Sequence, residues 1–163
     1  GYTCECNHDL GWFSDCDGVV GCEIDHQIQT YSCATATDLG SFCGDFARGG
    51  LPCNQEAEFV EMDRKTGRTS AWFKATAIEC DFCSTFFDIL RLRFTLYIPN
   101  CTDYHLIVYN SCGAIYEEAY CGGPGEQVEV VAGSGHTGEF WIQVRHTGGA
   151  SCDPWTLTVE GRQ

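Results

Sequence analysis

Thirteen cysteines in 163 residues constrain this chain more than any other feature of it. In a reducing cytosol they would stay as thiols open to oxidation and metal capture, whereas in an oxidising compartment they pair and brace a fold. A zinc protein would carry repeated Cys-x-x-Cys knuckles, and only Cys80 and Cys83 have that spacing. The expectation is a disulfide-bonded protein that is secreted or displayed at a cell surface. Because thirteen is odd, at least one cysteine is left over for another chain, an adduct or a free thiol. Cys16, Cys22, Cys101, Cys112, Cys121 and Cys152 are the candidates for pairing.

The chain opens at Gly1 with no basic stretch leading into a short apolar run, as expected of a processed secretory chain, and no segment has the length and apolarity of a membrane span. Nine basic residues against 23 acidic ones give a formal charge of −14. Such a surface repels phosphate backbones and anionic lipid, which excludes nucleic acid and membrane insertion as expectations. Cations, basic proteins and neutral glycans remain as partners.

Two regions differ in character. Residues 1–33 hold five cysteines, six carboxylates, no Lys or Arg, and little regular apolar periodicity. Residues 1–32 are therefore read as an acidic, loop-rich cap stapled by cysteines, and 33–163 as the main domain. From about residue 55 the pattern turns to two-residue alternation, the mark of half-buried antiparallel strands. Leu90, Leu92, Phe94, Leu96 and Ile98 share one face, with Arg91, Arg93, Thr95 and Tyr97 on the other. Tyr104, Leu106 and Val108 repeat the pattern, as do Phe140, Ile142 and Val144, and then Trp155, Leu157 and Val159. Turn-forming stretches stand between the runs: RKTGR at 64–68, IPNCTD at 98–103, CGGPG at 121–125, GSGHTG at 133–138 and TGGASCDP at 147–154. No helical stripe is evident, and the spacing predicts an all-β sandwich or barrel of short strands.

Five stretches in order, ATATDLG at 34–40, AWFKATA at 71–77, DYHLIVYNSCG at 103–113, GEFWIQVRHTGGASC at 138–152 and PWTLTV at 154–159, resemble the bacterial pre-peptidase C-terminal domain over about residues 33–161. The resemblance implies an antiparallel jelly-roll-like β-sandwich of the kind appended to secreted proteases. There it aids secretion, binds substrate surfaces or mediates assembly, and it is not itself the catalyst. It also implies calcium as a candidate ligand, since some relatives hold that ion near the start of the domain. In such a sandwich Tyr104 to Val108 form a central strand, and a Cys112–Cys121 disulfide would staple the short strand that follows. Closing that loop would stabilise by about 2.5 to 3 kcal/mol in the chain-entropy account.

Few other patterns carry chemistry. Asp15, Asp17, Glu23 and Asp25 alternate around a glycine in the manner of a loop for a hard cation, and are the candidate calcium ligands. The set does not follow the EF-hand spacing, because Val19 and His26 occupy ligand positions. The five histidines are scattered, and no nucleophile stands with a base. Acid pairs such as Glu117 with Glu118 read as solvated strand residues and not as a glycosidase dyad. No catalytic residue and no organic cofactor are expected. Asn100-Cys101-Thr102 matches a glycosylation sequon. Arg64, Lys65 and Arg68 place three basic residues on one expected hairpin tip, a candidate contact for the acidic cap of a neighbouring copy. The sequence thus predicts a non-catalytic structural or adhesive subunit of an extracellular assembly, with filaments as one form of it. The alternative is a carbohydrate- or protein-binding module, calcium-dependent or not, using outward rings such as Tyr97, Tyr109 and Trp141.

Overall fold

The computed structural model describes residues 32–44, 58–67, 70–80, 90–98, 104–119, 126–132, 137–146 and 154–162. Within them a 3-10 turn at Cys33–Thr35 precedes nine strands: β1 Thr37–Cys43, β2 Phe59–Gly67, β3 Ala71–Ile78, β4 Leu90–Tyr97, β5 Tyr104–Ser111, β6 Ala114–Ala119, β7 Glu126–Ala132, β8 Thr137–His146 and β9 Trp155–Arg162. They build a five-stranded sheet in the order β1-β3-β8-β5-β6 and a four-stranded sheet in the order β2-β9-β4-β7.

Leaving β1 aside, the pairing is nested. β2 pairs with β9, β3 with β8, β4 with β7 and β5 with β6, all antiparallel. The topology is that of one long two-stranded ribbon folded over on itself, which is the jelly roll. The all-β sandwich expected from the sequence is therefore the fold observed.

Alternation explains the two layers. On β3, Ala71, Phe73, Ala75 and Ala77 are buried while Trp72, Lys74, Thr76 and Ile78 are half-buried on the opposite face. Leu90, Leu92, Phe94 and Leu96 point inward from β4, and Trp155, Leu157 and Val159 from β9. The layers meet through these residues, with the Phe73 and Trp155 rings edge to face at 6.0 Å between centroids. Burying each large side chain stabilises by about 1.5 to 3 kcal/mol, enough over this cluster to fix which face of every strand looks inward.

β1 is the addition to the jelly roll. It lies parallel to β3, with a register shift between Asp38 and Ser41 where the Gly40 N–H donates to the Asp38 carboxylate at 2.8 Å. Parallel pairing is the weaker kind per residue, and here it is fastened covalently: Cys43 at the end of β1 is bonded to Cys80, just past β3. Gly44 then bridges to Arg162 of the other sheet, and its carbonyl accepts from the Arg91 N–H at 2.6 Å.

Two sequence expectations need correction. The RKTGR stretch is not a hairpin tip. Arg64 to Gly67 belong to β2, and the next strand, β3, lies in the other sheet. Gly67 is there because a β-carbon would overlap the indole of Trp155, its register partner, and not because the chain turns. Gly67→Ala is expected to destabilise by about 1 to 3 kcal/mol through overpacking, read as a lowered thermal midpoint.

The second correction concerns sulfur. Cys112 is bonded to Cys33, 79 residues earlier, with 5.7 Å between their Cα atoms, and not to Cys121. Cys112 occupies the β5–β6 turn, where Gly113 at φ +100° lets two residues reverse the chain. That corner hands its sulfur to the segment leading into β1, so the bond ties opposite edges of the five-stranded sheet. Cys80, half of the sole Cys-x-x-Cys, is likewise committed to a disulfide.

Candidate functional site

Two surfaces of the five-stranded sheet carry side chains with binding chemistry: its outer face and its β6 edge. On the outer face, strand register sets Lys74, Trp141 and Tyr109 side by side across β3, β8 and β5. The neighbouring row is Trp72, Gln143 and Ile107. The Trp72 and Tyr109 rings lie 5.0 Å apart between centroids, tilted by 32°, and the Tyr109 hydroxyl donates to Gln143 Oε1 at 2.8 Å. Lys74 Nζ pairs with Glu139 and stands 5.6 Å from the Trp141 ring centroid. Its hydrogen bond to Glu139 holds the ammonium above the usual lysine range.

The face is nonetheless not an open aromatic platform. Tyr109 is only 8% exposed and Ile107 is fully buried, although both point away from the core. Burial pushes the Tyr109 phenol above its ordinary value, with Arg145 pulling it back and Glu118 adding to the rise. A phenol whose folded value is raised stabilises the fold below about pH 10, and that contribution is lost as the pH climbs through the folded value, because the unfolded chain ionises first. Alkaline titration of the tyrosinate absorbance is expected to show a late-ionising component that Tyr109→Phe removes.

At the far end of the same face, Glu118 of β6 takes the Arg145 guanidinium at 2.8 Å and lies 3.7 Å from His105 Nδ1. Tyr97, the third ring expected in a platform, is half exposed on the four-stranded sheet, away from Trp141 and Tyr109. Trp72 was not among the rings expected to bind. The alternation of AWFKATA was the signal that could have placed it on this face, since Phe73 must point inward.

The β6 edge differs in kind. Ile115 is 57% exposed and Tyr116 38%, both large apolar side chains on a strand that ends the sheet. Tyr116 leans its ring edge to face on Phe140 at 6.2 Å between centroids. The β2 edge of the other sheet is blunted by a register shift and a run of charges.

Those charges include two of the expected contact residues. Arg64 pairs with Glu61 at 2.7 Å and Lys65 with Asp63 at 2.8 Å, so each cation meets a carboxylate of its own strand. Arg68 lies outside the described residues. Much of the remaining basic charge sits on the outer face of the four-stranded sheet, where the Arg93 and Arg162 guanidiniums stack on Phe59 at 3.9 and 4.4 Å from its ring centroid.

Asp15, Asp17, Glu23 and Asp25, the candidate calcium ligands, lie outside the described residues, as do Cys16, Cys22, Cys101, Cys121, Cys152, the sequon and all of the 1–32 cap except Ser32. Among the described residues no three His, Cys, Asp or Glu side chains are grouped to hold a metal ion, and no helix is long and apolar enough to cross a membrane. Four cysteines are used by the two disulfides, and nine, an odd number, remain. Disulfides of this number place the protein in an oxidising compartment, outside the cell or in a periplasm.

No protein-family model and no curated protein matches the chain. Among solved structures it is similar to the pre-peptidase C-terminal domain of a collagenase from Bacillus anthracis, with a TM-score of 0.46 and 7% identity over 76% of this chain and 93% of that one. This is the domain type that the strand motifs resemble. It is also similar to the periplasmic inhibitor of g-type lysozyme from Aeromonas hydrophila, with a TM-score of 0.36 and 15% identity over 76% of this chain and 97% of that one.

Proposed function

We propose that this protein is a non-catalytic structural unit of an extracellular assembly, adhering to further copies of itself. The observation that carries the reading is the β6 edge, which ends a sheet with two exposed apolar side chains, Ile115 and Tyr116. Soluble sandwiches blunt such edges with bulges, prolines or lysines, because an open edge invites another strand. The leftover cysteine adds to this support, since an unmatched sulfur in an oxidising compartment is a means of covalent joining. The contact does not rest on Arg64 and Lys65, whose charges are met inside β2.

Sedimentation and negative-stain imaging of the native protein test this reading, and higher assemblies or filaments are the expected result. Non-reducing electrophoresis is expected to show species larger than the 18.0 kDa chain that collapse on reduction. A protein monomeric at every concentration, with one free thiol per chain, would overturn it.

The half-buried Trp72 and Trp141 favour a second reading, a glycan- or protein-binding module. Its test is a glycan array probed with and without calcium, with Trp141→Ala as the comparison.

A further inference from the structure

We infer that copies join by sheet extension, with β6 of one copy pairing antiparallel to β1 of the next. The inference rests on the structural-subunit reading and names its interface. β1 and β6 are the two ends of the five-stranded sheet, and neither pairs with a further strand among the described residues. Their directions follow from the pairings: β1 is parallel to β3, and β8, β5 and β6 then alternate, so β6 runs opposite to β1. A second copy, advanced along the sheet without being turned over, therefore presents β1 antiparallel to the waiting β6. The strands match in length, seven residues against six.

Side-chain matching favours this pairing over β6 against β6. In a full antiparallel overlap of two β6 strands Ile115 would face Glu118 and Tyr116 would face Glu117, setting both apolar side chains against carboxylates. On β1 the sole charged residue is Asp38, and Lys74 is its register partner on the adjacent strand. The rest of β1 offers Thr37, Gly40 and Ser41, all exposed, with Leu39 half-buried beside them. These are small side chains against which Ile115 and Tyr116 can lie.

Such a contact joins two different surfaces, so it does not close into a two-fold dimer and continues instead. Its geometry is set by the sheet. Five strands per copy at about 4.8 Å spacing give a rise of about 24 Å. A twist of about 20 to 25° between strands turns successive copies by roughly 100 to 125°.

Blocking each edge separately provides the test. Ile115→Lys with Tyr116→Lys closes β6, and Thr37→Lys with Ser41→Lys closes β1; all four positions are surface-accessible. Where a double variant melts well below the parent protein, Ile115→Lys alone and Ser41→Lys alone replace it. Each blocked protein is expected to sediment as a monomer. An equimolar mixture of the two is expected to give dimers and nothing longer, and images of the parent assembly to repeat near 24 Å. Dimers formed by the β1-blocked protein alone would overturn the inference in favour of a β6–β6 contact. A protein blocked at both edges that still assembles would overturn it while leaving the subunit reading intact, and a parent protein that never assembles would overturn both.

Discussion

Replacing Cys33 and Cys112 together by alanine is expected to lower the free energy of unfolding by about 4 kcal/mol. The bond closes a loop spanning 79 residues, and the chain-entropy account assigns about 4.5 kcal/mol to a loop of that length. The staple first expected, from Cys112 to Cys121, would have enclosed about ten residues and contributed only 2.5 to 3 kcal/mol on the same account. The difference has a structural meaning: the longer bond restrains half of the chain, including β1 to β5, while the shorter would have restrained β6 alone. For a chain of this size the loss corresponds to a fall of roughly 8 to 16 °C in thermal midpoint. Calorimetry of the double variant under oxidising conditions checks it. A fall of less than about 3 °C would show that the bond constrains a part of the chain that is already ordered when unfolded.

Trp155→Ala is expected to cost about 3 to 5 kcal/mol, the usual range for emptying a large buried aromatic site. Trp155 is fully buried, meets Phe73 edge to face across the two sheets, and lies over the bare backbone of Gly67. The two neighbours Gly67 and Phe73 offer little to fill the space, because Gly67 has no side chain and Phe73 is itself fully buried. Denaturant unfolding of the variant measures the loss. The effect should be larger than that of Tyr97→Ala, which removes a half-exposed ring from the surface.

Where the sequence was informative, one side of a strand had to face the core. LRLRFTLY reads directly as β4, because no shift of register could bury Leu90, Leu92, Phe94 and Leu96 together in another way. β5, β8 and β9 were legible for the same reason. β2 was not. Its core contribution is small, with Met62 packed against the cluster and a bulge beside it. Its later residues are the charged and glycine types that also make turns, so DRKTG resembled a corner when it was an edge. The resemblance implied the jelly-roll type, but the order of the strands was not legible, because periodicity cannot say which strand lies beside which.

The candidate site was harder to read. Trp141 and Tyr109 were placed on an outward face, and strand register brings them together. That Tyr109 is covered while Ile115 is open depends on what lies above each, which alternation does not encode. Disulfide partners are invisible for a similar reason: the number of pairings grows far faster than the number of cysteines, and proximity is decided by the fold. His105 shows what a single position can and cannot reveal. Its outward direction followed from Tyr104 and Leu106, but its neighbour Glu118 arrives from β6 by a register containing two shifts.

The Cys33–Cys112 bond also decides how this module would behave under tension. Once the strands part, a pull on the chain ahead of Cys33 passes through sulfur to the β5–β6 corner and bypasses the loop that the bond closes, a sequence separation of 79. About 270 Å of contour length is thereby withheld from extension. A fibre of such modules would resist stretching by its covalent loops even while individual strands parted, and reduction would release that length at once.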